Sequence, residues 1–173
     1  MATTYTLISS NVLSSSAASI TFSSIPATYT DLVLKVSARS DGTTDPEEVH
    51  FKFNNDSTNL YSYTKLQGNG ASATSAQAAN TTVGRGFFAS DLSTQTSNSF
   101  GSGELYIPSY TASQSKPVGM FGVEETNATT ANMAASAALY RSNTAISQID
   151  LLPRNATNFV SGSSFYLYGI SNA

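Results

Sequence analysis

Cysteine is absent from this chain, and histidine occurs once, as His50. The first absence removes disulfide scaffolds, thiol nucleophiles and cysteine-bearing zinc sites together. One histidine alone is too few nitrogen ligands for a zinc centre. Charge is also scarce: Asp, Glu, Lys and Arg make up 11% of the residues, against a usual share of about 25%. No basic run is present and the net charge is -3, so the phosphate-neutralising footprint of a nucleic-acid binder is missing. No apolar run has the length of a membrane span. The N-terminus lacks the basic and apolar regions of a signal peptide, so we expect a protein made and used without that route of export. Neither nucleic acid nor membrane is an expected partner.

Ser, Thr, Asn and Ala fill the place of the missing charge, alongside 9 Tyr and 9 Phe. Disordered chains combine few aromatics with high net charge, so this composition points to a folded chain. Its length suits one domain, residues 1–173, with a core of useful size. A surface of short neutral side chains loses little rotamer freedom when a partner covers it, which favours a protein that works by contact. The Asn-x-Ser/Thr triplets at Asn127 and Asn155 are expected by chance in so Ser/Thr-rich a sequence.

The dominant period is two. In Thr30–Arg39, Leu32, Leu34, Val36 and Ala38 take one face while Asp31, Lys35, Ser37 and Arg39 take the other, with Val33 the exception. That is a half-buried strand. Val49–Phe53 repeats the pattern with His50 and Lys52 outward, and Ile20–Phe22, Leu105–Ile107, Ile146–Leu151 and Phe165–Ile170 follow. Further strands are expected at Thr4–Ile8, Tyr61–Leu66, Thr82–Phe88, Val118–Val123 and Met133–Tyr140. Ala131–Tyr140 is Ala-rich enough for a helix, but small residues also suit a tight sheet contact, and we prefer a strand. Asp41-Gly42, Asp45-Pro46, Asn54-Asn55-Asp56, Gly68-Asn69-Gly70 and Ser161-Gly162 supply turn chemistry between these runs. Short strands so punctuated predict an all-β antiparallel sandwich or barrel. Ser9–Ser19 reads as a loop or bulged turn. Gly68–Asn80 reads as a long exposed loop, and long structureless loops are uncommon unless they bind something.

Chemistry is hard to find. A Ser-His-Asp arrangement around His50 lacks a Gly-x-Ser-x-Gly elbow, and His50 reads as a surface histidine near the solvated Glu47 and Glu48. Glu47-Glu48 and Glu124-Glu125 are the adjacent acidic pairs, but neighbours on a strand point to opposite faces and cannot flank one glycosidic bond. Asp41–Asp45 and Asn54–Ser57 offer oxygen ligands to calcium, yet Asx side chains bonding their own turns account for both. Gly84-Arg-Gly86-Phe87-Phe88 lacks a P-loop lysine and reads as a bulged strand in which glycine allows close backbone approach. Tyr61, Tyr63, Tyr106, Tyr110, Tyr166 and Tyr168 could line a sugar-binding face, although packing and subunit contact are the readier use of such rings. We therefore expect no catalytic residues, no metal and no cofactor: a binding or structural module, not an enzyme. The partner contacts we select are the loose N-terminal segment, with Met1, Thr3 and Tyr5, and the loop carrying Gly68, Asn69, Gly70 and Asn80.

Several blocks carry a resemblance. Ser19-Ile-Thr-Phe-Ser-Ser-Ile-Pro-Ala-Thr-Tyr-Thr-Asp-Leu-Val-Leu34 with Ser37-Ala-Arg-Ser40 comes first. Phe51-Lys-Phe-Asn-Asn-Asp56 with Tyr61-Ser-Tyr-Thr-Lys-Leu-Gln-Gly-Asn-Gly70 follows. Glu104-Leu-Tyr-Ile-Pro-Ser-Tyr110 with Lys116-Pro117, and Phe165-Tyr-Leu-Tyr-Gly-Ile170, complete the set. In this order they resemble small structural proteins of tailed bacteriophages, those of cyanobacteria and other aquatic bacteria above all. The resemblance covers nearly the whole chain and contains strand-and-turn patterns without a catalytic signature. It implies a β-sandwich of the jelly-roll kind on the virion surface, made in the host cytoplasm. Such proteins cement neighbouring major capsid protein subunits, often as trimers. The alternative it implies is a tail knob or fibre module that binds host surface glycan.

Overall fold

The structure, a computed structural model, describes residues 4–44, 47–127 and 129–171. Among them are twelve strands and no helix: β1 (Tyr5–Val12), β2 (Ile20–Phe22), β3 (Asp31–Arg39), β4 (Val49–Phe53), β5 (Tyr61–Gly68), β6 (Ala73–Thr81), β7 (Ser90–Asp91), β8 (Gly101–Ile107), β9 (Lys116–Glu125), β10 (Ala131–Tyr140), β11 (Ile149–Pro153) and β12 (Ser164–Ile170). A large sheet runs β1-β12-β3-β8-β9-β10-β5-β6, with the short β7 beside β3, and a small sheet runs β2-β11-β4. Pairing is antiparallel except for the two-residue β3–β7 contact. The chain is an all-β sandwich. It begins by alternating between layers, with β1 and β3 in the large sheet and β2 and β4 in the small one, and it closes with β11 in the small sheet and β12 in the large.

Period-two patterning builds the interior. Leu32, Leu34 and Val36 of β3 meet Phe51 and Phe53 of β4 and Ile149 and Leu151 of β11 in one buried cluster. Full burial of each such side chain contributes roughly 1.5–3 kcal/mol. Tyr61 stacks on Tyr140 with ring centroids 4.8 Å apart, and both pack against Phe53. The buried Tyr61 hydroxyl is not left orphaned, because it accepts a hydrogen bond from the Phe53 N–H at 2.9 Å.

The small sheet is too narrow to cover the large one. Residues 84–89 complete the second layer by lying directly on β8 and β9. Gly122 makes this possible: a Cβ there would overlap the Phe88 carbonyl oxygen, and one at the paired Gly103 would run into the Phe87 ring and Ala89.

Four expectations are corrected. Gly68–Asn80 is a tight turn followed by strand β6, and that strand lacks an apolar period because both of its faces are largely exposed at the sheet edge. Thr82–Phe88 is not a strand. Gly84 sits against the face of the Phe51 ring and Gly86 takes a φ of 88°, which diverts the chain out of ladder geometry. Ser9–Ser19 is loop only after Val12, since β1 continues through a register shift between Leu7 and Ser9. In the Ile146–Leu151 region the ladder begins at Ile149, while Asn54 occupies the residues before it by accepting from the Ser147 and Gln148 N–H groups at 2.9 and 3.2 Å. Ala131–Tyr140 is a strand, as preferred. The expected turn at Asp45-Pro46 lies outside the described residues.

Candidate functional site

Part of the scarce charge is gathered in one buried cluster. Glu48 is buried and accepts from Lys65 Nζ at 2.7 Å, Arg154 Nη1 at 3.2 Å and the Gly86 N–H at 3.0 Å, while His50 Nε2 lies 3.7 Å away. Burial alone would raise its pKa. The neighbouring His50 ring, the hydrogen bonds from Lys65 and Gly86, and the Lys65 charge outweigh that and hold it down at about 2. Beside it Glu47 is fully buried, and its Oε1 accepts from the Arg154 and Asn155 N–H groups at 2.6 and 3.3 Å. Burial dominates here and pushes this carboxyl up to about 7. Glu124 Oε2 accepts the Glu47 N–H at 3.3 Å, and Lys65 Nζ also sits 4.6 Å above the Phe88 ring. The cluster thus ties the approach to β4 to β5, β9 and the chain after β11. His50 is not a surface group beside solvated carboxylates, because the chain enters β4 through the interior and takes Glu47 and Glu48 with it.

Two further buried cations act as clasps. Arg39 donates from Nη1 to the carbonyls of Thr96 and Ser99 at 2.8 and 3.0 Å, and from Nη2 to those of Ser93 and Gln95, both at 3.1 Å. Lys116 Nζ does the same for Gln114, Ser142 and Thr144 at 2.7, 3.0 and 2.8 Å. Among the described residues no group of three or more His, Asp or Glu side chains is placed to hold a metal ion. Asp41 accepts from the Thr157 and Asn158 N–H groups, both at 2.9 Å, and Asp56 accepts from the Thr58 N–H at 2.8 Å, so these acids close turns.

The selected contact residues fall at opposite edges. Tyr5 opens β1, is 54% exposed and meets Tyr168 edge-on at 6.5 Å. Gly68, Asn69 and Gly70 form the turn into β6, where Asn69 Oδ1 accepts the Ala71 and Ser72 N–H groups at 3.0 and 2.9 Å and Gly70 takes a φ of 85°. Asn80, also left-handed, accepts from Arg141 Nη2 at 2.7 Å near the end of β6. The whole sheet lies between the two groups. Met1 and Thr3 lie outside the described residues.

Register aligns the intervening face into rows. One runs Ser10–Tyr166–Lys35–Glu104–Phe121–Ala135–Leu66–Ser75 across all eight strands of the sheet path. The row on one side passes from Leu7 through Tyr168, Val33 and Tyr106 to small residues. The row on the other passes from Val12 through Ser164, Ser37 and Ser102 to Val123 and Met133. Val33, the exception to alternation, is buried here between its ladder partners Tyr106 and Tyr168. The three rows contain one charged pair, Lys35 with Glu104, and each ion faces its neutraliser. Leu7, Val12, Leu66, Phe121 and Met133 are exposed. Tall Tyr166 and Phe121 stand three strands apart, roughly 14 Å, and between them a trough of about 470 Å³ is floored by Ser37, Ser102 and Gly103.

No protein-family model and no curated protein matches this chain. The tyrosines separate into two uses: Tyr61 and Tyr110 are buried in the core, while Tyr106, Tyr166 and Tyr168 stand on the outer face. Sequence reading missed Phe121 and Leu66 as surface groups. Their signal was alternation, since each occupies the outward parity of its strand.

Proposed function

We propose that this chain is a virion structural protein, a capsid decoration module whose large sheet lies with its outer face against neighbouring major capsid protein subunits. The observation that carries this reading is that face: eight strands wide, its three central rows rich in small neutral residues, with exposed Leu66, Phe121 and Met133 among them and the rows' two charges, Lys35 and Glu104, paired to each other. A few large apolar groups in a flat, small-residue surroundings suit contact by shape, and neutrality leaves such a contact little affected by salt. The phage assignment itself rests on the sequence resemblance. The jelly-roll reading draws support from the alternation of β1 to β4 and of β11 and β12 between sheets, with β5, β6, β9 and β10 widening one layer. A non-enzymatic role is supported by His50, Glu47, Glu48 and Glu124 lying in a structural ion-pair network. The test is addition of purified protein to heads that lack it. Saturable binding, lost in Phe121→Asp, is expected, and no binding by the folded protein rejects the reading.

A second reading is favoured by the trough. Two aromatic walls over a serine floor, with Lys35 and Glu104 alongside, have the make-up of a site for a sugar ring, and this supports a tail module that binds host glycan. Immunogold labelling restricted to the tail, with hits on a glycan array, would favour it over decoration.

A further inference from the structure

We propose that β6 is a self-association edge, at which two copies of this chain pair antiparallel about a two-fold axis and join their large sheets. The sheet path ends in two strands, β1 and β6, and they differ. β1 breaks register in its interior, between Leu7 and Ser9, and a bulge there bends the strand and interrupts the ladder a neighbour would need. β6 holds continuous register with β5 from Ala73 to Ala78. Its irregularity lies past that run, where Asn80 has a φ of 57°. Natural edges are blunted by charge, proline, brevity or a bulge. β6 has nine residues, no charge and no proline, and it is exposed everywhere but at Ala78 and Thr81, which are half-buried.

The side chains indicate what pairs there. Strand addition by a foreign segment gains its specificity from pockets for alternate side chains, and the Ala, Ser, Thr, Gln77 and Asn80 side chains along β6 are exposed or half-buried and build no such pockets. A second copy needs none, because a two-fold axis at the middle of the run, on Ser75 or Ala76, sets small neutral groups against small neutral groups with no like charges opposed. The same operation keeps outward residues outward, so the row holding Phe121 and Leu66 continues into the other copy. Leu66, 64% exposed beside Ser75, is thereby sheltered by the partner strand. The pairing needs no capsid and stands apart from the virion reading. It replaces the trimer implied by the resemblance with a two-fold pair.

Light scattering on the purified chain tests it, with the expected result a particle of twice the chain mass. The double variant Ser75→Lys with Gln77→Lys opposes four cations across the axis. It is expected to run at the single-chain mass and to keep a cooperative melt whose midpoint, unlike the parent's, does not depend on chain concentration. Because the chain has no cysteine, Ser75→Cys and Ala76→Cys introduce single thiols, and one of the two is expected to give a disulfide-linked dimer on mild oxidation. Ser10→Cys on β1 is the control, expected to remain uncrosslinked. A wild-type monomer at the highest soluble concentration overturns the proposal. So does a dimer or trimer that the folded lysine variant leaves intact, or cross-linking at position 10 as efficient as at 75 and 76. Loss of head binding with the dimer retained would count against the virion reading alone.

Discussion

Gly119 and Gly122 stand three residues apart on β9 and measure the difference between the two faces of the large sheet. A Cβ at Gly119 would meet nothing within 4 Å, whereas one at Gly122 would strike the Phe88 backbone. The inner face is crowded and holds Lys65, Lys116 and Glu124 among its buried groups. The outer face is open, and the two charges of its central rows, Lys35 and Glu104, are paired with each other. Charge-poor composition is therefore misleading as a statement about the whole molecule: one group of ions joins segments distant in sequence, while the central rows of the outer face hold a single neutralised pair.

The largest expected effect comes from closing the inner gap. Gly122→Ala should cost several kcal/mol or prevent folding, since backbone must move to admit the methyl group. Gly119→Ala should stay within about 0.5 kcal/mol of the parent. Thermal unfolding of the pair checks both, and equal losses would erase the contrast between faces. Next comes Lys65→Met, which strips Glu48 of its buried partner and should cost roughly 3–5 kcal/mol, read by urea denaturation.

Glu47 sharpens the comparison through pH. Its folded pKa of about 7 lies above the ordinary 4.5, so its share of stability is complete below pH 4.5 and is lost as pH rises to 7. Glu47→Gln should leave stability nearly unchanged at pH 4 and raise it at pH 8, by on the order of 3 kcal/mol, in paired melts. Glu48 works in the opposite sense, its share being lost as pH falls from 4.5 toward 2. The smallest stability effect belongs to the outer face. Phe121→Ser should shift unfolding by about 0.5 kcal/mol or less while weakening the proposed head attachment at least about tenfold, the loss of one anchor, measured by co-sedimentation.

Much of this fold was legible in the residues. β3, β4, β9 and β12 announce themselves because one face of each is buried, and turn chemistry at Asn54 and Gly162 marks breaks between strands. β6 was not legible, since alternation vanishes when neither face meets a core. The 82–88 segment misled because its aromatics are core residues held by loop backbone, with Val49 N–H donating to the Phe87 carbonyl at 2.8 Å. Burial of Glu47 and Glu48 depends on Lys65, Arg154 and Glu124, which adjacent residues do not reveal. The outer rows emerge only with register, though Val33 carried a trace of them: a second apolar face on β3 needs something to cover it.

Arg39 grips the 93–99 segment by four main-chain oxygens and by none of its side chains. Main-chain oxygens are the same whatever residue bears them. The identities of Ser93, Thr96 and Ser99 are thus free to drift as far as this clasp is concerned, while the arginine is not. In a lineage under pressure to change its surface, such a clasp separates the shape of a loop from its spelling.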